Sequence, residues 1–208
     1  MPLQNRVDPF GRLVATPARG TMMGNRGGRF HTDDRTLGAR RAAGRAWICC
    51  ELEFKGRRRD VWTRGYTELF YLDEATALAA GARPCFECRR AQAHAFRDAA
   101  FGRALRAPEM DRILAAERAA PPRRIAARDV GALPDGAMVA IGAQAYLVLD
   151  GALRPWSFAG YGPAVAPLSG DVALLTPPSG VTALRRGYAA RLHPTASSPA
   201  SPDRGAPA

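Results

Sequence analysis

Hydrophobic and polar positions alternate with a period of two through Trp47-Ile48-Cys49-Cys50-Glu51-Leu52-Glu53-Phe54. That period predicts a strand with Ile48, Cys50, Leu52 and Phe54 on its apolar face and Cys49, Glu51 and Glu53 on the other. The basic, glycine-containing turn Lys55-Gly56-Arg57-Arg58 then predicts a hairpin, with residues 59–63 as the returning strand. Aromatic-rich residues 66–72 read as a third strand, and the Ala-rich run 73–80, closed by Gly81, as a helix. A helical period returns over residues 89–105, with Ala93, Phe96, Ala100 and Phe101 on one side. A second helix is expected over 108–119, with Pro at its first position and acids in its first turn. Beyond it, short strands are expected at 137–141, 144–149, 152–158 and 171–175, with a helix at 178–186. Asp150-Gly151 supplies a hairpin turn between the second and third of these strands.

With the knuckle-like spacing Cys85-Phe86-Glu87-Cys88 among them, these elements predict an α+β protein: a small zinc-stabilised β-hairpin/helix module followed by a small β-rich C-terminal module. Residues 1–45 read as an irregular basic segment packing on the module 46–119. Residues 120–132, containing Ala-Pro-Pro-Arg-Arg, read as a linker, 133–194 as the β-rich module, and the Ala/Ser/Pro-rich 195–208 as a disordered tail. The glycine-rich run 21–29 has the composition of a phosphate-cradling nest or of a flexible loop. It lacks the Gly-Lys-Ser/Thr of a P-loop. Trp156-Ser157-Phe158-Ala159-Gly160-Tyr161-Gly162 suits either a recognition loop or core and turn filling.

Composition adds a partner to this picture. The net charge is +11, and residues 1–128 carry all of the excess, with twenty-five basic and fourteen acidic side chains. Residues 129–208 hold five of each and are neutral. All but one of the basic residues are Arg, which favours bidentate contacts to phosphate or guanine. A GC-rich genome accounts for Arg over Lys, but not for the neutrality of the second half. Nucleic acid is therefore the expected partner, DNA ahead of RNA. Arg57, Arg58, Arg59, Arg89 and Arg90 are the expected phosphate contacts, and Trp62 is the aromatic placed to stack on a base. Residues 1–128 are expected to bind without the neutral half. No apolar run is long enough to span a membrane, the first residues lack the apolar core of a signal peptide, and four cysteines with one C-x-x-C suit the cytoplasm.

The chemistry of the chain centres on Pro84-Cys85-Phe86-Glu87-Cys88-Arg89-Arg90. A C-x-x-C pair serves a redox dithiol, half of a metal site, or two ordinary thiols. A helix rather than an apolar strand precedes it, which favours a zinc knuckle over a redox motif. Adjacent residues on a strand face opposite ways, so Cys49 and Cys50 are not expected to share one ion. Cys50 is the expected third ligand and Cys49 a structural or surface thiol. His31, in Gly27-Gly28-Arg29-Phe30-His31, is the candidate fourth ligand, with a polar loop residue as the alternative. His94 lies six residues after Cys88 and turns off that ligand's face.

Residues 71–90, running from Tyr71 through the Ala-rich helix and Gly81 to Arg83-Pro84-Cys85-Phe86-Glu87-Cys88-Arg89-Arg90, resemble the second half of the Ada metal-binding domain, the zinc module of bacterial alkylation-response proteins. The family's other two cysteines form a C-x-x-x-C pair upstream. Here only adjacent Cys49 and Cys50 are available. The resemblance implies zinc, DNA, and a zinc-bound thiolate able to accept a methyl group from a DNA phosphotriester, with Cys50 as the matching position. Two functions are thus expected. One is a nucleic-acid-binding protein with a mainly structural zinc. The other is a repair enzyme, using either that thiolate or an open zinc site. In the open site His31, Cys85 and Cys88 would activate water, with Glu51, Glu53 or Glu68 as base. Whether the protein is an enzyme is left open by the sequence, and no catalytic residue is assigned.

Overall fold

The computed structural model describes residues 1–57, 60–63, 65–166 and 170–197. Two six-stranded sheets flank a short buried helix. The first sheet contains β1 (Arg6–Val7), β2 (Leu13–Val14), β3 (Met22–Arg26), β4 (Trp47–Cys50), β5 (Leu69–Tyr71) and β6 (Arg83–Pro84), in the order β2-β1-β5-β3-β4-β6. It is mixed: β1 runs parallel to β5 and β6 parallel to β4, while the other pairs are antiparallel. Residues 1–45, expected to be irregular, therefore supply three strands, and β3 is buried throughout. The chain can pass there because Gly24 has no side chain. A Cβ at that position would lie 2.1 Å from the Ile48 carbonyl oxygen and 2.7 Å from the Tyr71 ring.

The expected hairpin between 46–54 and 59–63 does not form. Strand β4 instead pairs with β3 on one side and with β6 on the other, and residues 60–63 are turn. Long-range pairing with β3 buries more of β4 than a local hairpin could, and period-two patterning cannot name the partner. Arg58, Arg59 and Arg64 lie outside the described residues.

Helix α1 (Glu74–Ala79) sits between the sheets with all six residues buried. A helix buried on every side needs small side chains to let two layers approach. Ala77 and Ala80 pack with Met22, Leu69 and Tyr71 under the first sheet. Ala75 and Ala79 pack with Met138 and Leu147 of the second. Asp73 caps the helix, its carboxylate accepting the Thr76 N–H at 2.9 Å, and also receives Tyr161 Oη–H and the His193 N–H from the C-terminal half.

The second sheet is antiparallel throughout. It contains β7 (Arg123–Ala126), β8 (Met138–Ile141), β9 (Gln144–Leu149), β10 (Ala152–Ser157), β11 (Gly160–Tyr161) and β12 (Asp171–Leu174), in the order β11-β10-β9-β8-β12-β7. Residues 120–132, expected as a linker, thus provide an edge strand paired with β12 and a 3₁₀ turn over 127–132. Helices α2 (Arg90–Phe101), α3 (Ala107–Ala119) and α4 (Pro178–Arg185) complete the fold. The largest core joins Leu78, Phe96, Met110 and Leu114 to Val139, Val148, Leu153, Val172 and Leu184. The two expected modules therefore share one interior. A 3₁₀ turn over Pro194–Ser197 ends the described chain, and the rest of the expected tail, 198–208, lies outside it.

Candidate metal centre

Three cysteines converge where β4 ends and α2 begins. Strand β6 lies parallel to β4 with Cys49 opposite Pro84, and the Cys85 N–H donates to the Cys49 carbonyl at 2.9 Å. That pairing sets Cys85 beside the end of β4, where Cys50 faces the same side. The chain then turns through Phe86 and Glu87, closed by the Arg89 N–H on the Cys85 carbonyl at 3.0 Å, and Cys88 returns to the pair. Ligand atoms of Cys50, Cys85 and Cys88 all lie within 4.8 Å of one another, close enough for one metal ion. Backbone N–H groups already point at two of the sulfurs. Glu87 donates to Cys85 Sγ and Glu51 to Cys88 Sγ, each at 3.4 Å. Cys50 Sγ receives no backbone N–H among the described residues.

Proximity reorganises the protons of the cluster. Hydrogen bonds from Cys50 and then Cys88 push the Cys85 thiol down to about 2, whereas hydrogen bonding to Cys85 and Cys88, together with burial, pushes Cys50 up. Cys88 is also raised: contact with Cys50 lowers it, but contact with Cys85 and burial outweigh that effect. A cation at this site would displace the thiol protons of the cluster, as thiolate coordination requires.

Cys49 faces the opposite way and is 1% exposed among Tyr71, Ala77 and Ala82. Burial, and next Glu74, raise its thiol well above the ordinary range. It is a core residue, and the strand alternation that separated it from Cys50 holds in the fold. The apolar face expected for β4 is the face that carries the sulfurs, with Met23, Ile48 and Phe70 packed beside them.

His31 does not join the cluster. It is buried, its ring stacks on Trp62 with centroids 5.4 Å apart, and Nδ1 pairs with Thr67 Oγ1 at 2.8 Å. Thr67 Oγ1 also accepts the N–H groups of Phe30 and His31, and His31 Nε2 is buried without a hydrogen-bond partner among the described residues. Among the described residues, the three cysteines are the whole ligand group. Beside them lies a cavity of about 90 Å³, lined in part by Glu51, Phe54, Arg57, Tyr66 and Glu87.

Two of the expected nucleic-acid contacts are internal. Arg89 is 3% exposed and forms a two-pronged ion pair with Glu74, both bonds 2.7 Å, while Glu51 Oε1 lies 3.2 Å from its Nε. Trp62 is 1% exposed, its indole N–H donates to the Glu68 carbonyl at 2.8 Å, and its ring is covered by His31. Neither can reach a phosphate or a base from that position. Arg57 and Arg90 are exposed, Arg57 pairing with Glu87 at 2.8 Å. Exposed Arg29, Arg35, Arg40, Arg41 and Arg45 extend the basic surface along the segment between β3 and β4.

Sequence reasoning missed the network behind the cysteines. The Glu74 carboxylate also accepts Tyr188 Oη–H and the Arg191 N–H, and the Arg191 side chain reaches Glu51 at 2.6 Å. Arg89 follows the C-x-x-C directly, which is a local hint. Nothing local marks Arg191, whose partner lies 140 residues away. No protein-family model matches the chain, and neither a curated protein nor a solved structure matches it.

Proposed function

We propose that this protein binds one zinc ion through Cys50, Cys85 and Cys88 and uses its arginine-rich surface to hold nucleic acid, DNA ahead of RNA, in DNA handling or repair. The convergence of three sulfurs from two separate segments carries this reading. Zinc is the metal best suited to thiolates on a knuckle with N–H···S bonds, and no other chemistry is needed to explain the arrangement. Bound there, it would tie the end of β4 to the start of α2 and contribute folding energy. The resemblance of residues 71–90 to the Ada zinc module points the same way. So does the exposed run of arginines between β3 and β4. Thiolate ligands need a reducing compartment, which makes the cytoplasm the expected location.

A second reading has its own support. The ligand group stops at three among the described residues, and a cavity adjoins it. Among the described residues, Cys50 Sγ also lacks the N–H donors that quieten the other two sulfurs. A Cys50 thiolate on zinc would then be the nucleophile. It would attack a methyl carbon on a DNA phosphotriester, forming the C–S bond as the C–O bond breaks and leaving the electron pair on the phosphate oxygen.

Metal analysis joined to a salt-dependent DNA titration tests the main reading. Purified protein is expected to carry about one zinc per chain, lost in Cys85→Ser and Cys88→Ser. DNA affinity is expected to fall steeply with salt. Retained zinc in the double variant, or no binding at low salt by the zinc-loaded protein, overturns it. Mass spectrometry after exposure to methylated DNA separates the second reading: a single added methyl on Cys50 supports it, and an unmodified chain removes it.

A further inference from the structure

A larger cavity, of about 700 Å³, opens where the N-terminal turn, β4, α3 and the start of α4 meet. Its size falls in the ordinary range of small-molecule sites. Phe10, Trp47, Ala79, Leu175 and Val181 give it apolar walls. Phe10 is also one of the few large apolar side chains left exposed among the described residues.

Cations outnumber carboxylates by three to one in the lining of this cavity. Arg118, Arg123 and Arg185 line it, and none pairs with a carboxylate among the described residues. Arg118 gives Nη1 to the Gly81 carbonyl and Nη2 to the Arg45 carbonyl, both at 2.7 Å, and Asp111 and Glu117 act on its charge without a direct ion pair among the described residues. Burial holds its guanidinium down to about 10. The one carboxylate in the lining, Glu117, is committed to Ser179, accepting its N–H at 3.2 Å and its hydroxyl at 2.6 Å. Arg26 lies behind the wall, 1% exposed and 3.6 Å from the Trp47 ring that Arg118 also covers. It too donates to carbonyls, those of Gly11 and Arg41, beside the Tyr71 hydroxyl and within the field of Asp8, and it has no direct ion pair among the described residues. Buried cations without a directly paired carboxylate are costly, and an anion in the adjoining space relieves that cost.

We propose that this cavity binds a small amphipathic anion, with an apolar body against Phe10 and Trp47 and a single acidic group facing Arg118, Arg123 and Arg185. The proposal is independent of the metal centre. Neither a neutral nor a cationic amphiphile of the same length satisfies both halves of the site.

Displacement of a fluorescent probe, anilinonaphthalene sulfonate, from the full chain tests it. The folded protein is expected to bind about one dye per chain, and decanoate is expected to displace it. Decanol should need a concentration about tenfold higher, because two exposed guanidinium contacts are worth roughly that factor. Decyltrimethylammonium should compete least. Ala116→Trp fills the cavity from an exposed position on α3 and should remove dye binding while leaving the melting temperature near that of the parent. Paired Arg123→Glu and Arg185→Glu changes, both at exposed positions, should erase the preference for decanoate over decanol. Equal displacement by anion and cation, or full dye binding by a folded Ala116→Trp variant, overturns the proposal. If Ala116→Trp melts early, the charge-reversal pair decides.

Discussion

At the residue scale, Cys49 and Cys50 show how one position along a strand separates two chemistries. Cys50 meets Cys85 and Cys88, while Cys49 is enclosed by the core beside Glu74 and Arg89. Cys50→Ser is therefore expected to lose the metal. Cys49→Ser should keep it and lose about 1 kcal/mol of stability, since Arg89 offers the new hydroxyl a donor. Metal analysis and urea unfolding of the two variants check this, and the reverse ranking would break the assignment. Glu74 makes a sharper case. Its carboxylate is fully buried against Arg89, Tyr188 and the Arg191 N–H. Glu74→Gln keeps the shape but leaves the Arg89 cation only the single contact to Glu51 at 3.2 Å, which should cost at most about 3–5 kcal/mol in a denaturant titration. Combining it with Arg89→Met should recover part of that loss, because the pair then disappears together.

At the scale of elements, α1 explains why the middle of the chain is rich in alanine. It has six residues and no exposed face, so intrinsic helix propensity contributes less than its ability to fit between two layers. Ala77→Leu is expected to destabilise by about 1–3 kcal/mol through overpacking against Met22 and Tyr71, although leucine is a good helix former. A stabilised variant in thermal unfolding would show slack that the core does not display. Gly81 follows the same logic at the helix end. Its φ of +78° turns the chain towards the cysteines, and a Cβ there would meet Arg118 Cγ at 2.3 Å.

At the scale of the molecule, the basic and neutral halves are not separate bodies. Leu78, Phe96, Met110 and Leu114 pack against Val139, Val148 and Val172. Asp73 and Glu74 also hold Tyr161, Tyr188, Arg191 and His193 from the far end of the chain. A fragment of residues 1–128, expected from charge alone to work by itself, should instead be unfolded or aggregated. It would expose those apolar side chains and leave both carboxylates without their partners. Circular dichroism and hydrogen exchange of the fragment check this, and a cooperative unfolding transition like that of the full chain would refute it.

Local pattern was enough to place β4, the β5 region, the four α-helices and strands β8, β9, β10 and β12 of the second sheet, because each is written in a period of two or 3.6 and punctuated by glycine, proline or an N-cap. The same local geometry put Cys50 rather than Cys49 beside the C-x-x-C. Pairing across sequence distance was beyond it. Strand β3 lay hidden in a glycine-rich run, and β7 lay in a stretch with the composition of a linker. Burial of Arg89, Trp62 and His31 was equally illegible, since a charged or aromatic side chain looks the same in sequence whether it meets solvent or a partner. Those outcomes depend on which groups the folded chain brings together, such as Glu74 for Arg89 and Glu68 for Trp62. Alternation decided which way each sulfur faces on β4, and tertiary packing decided which arginines remain outside.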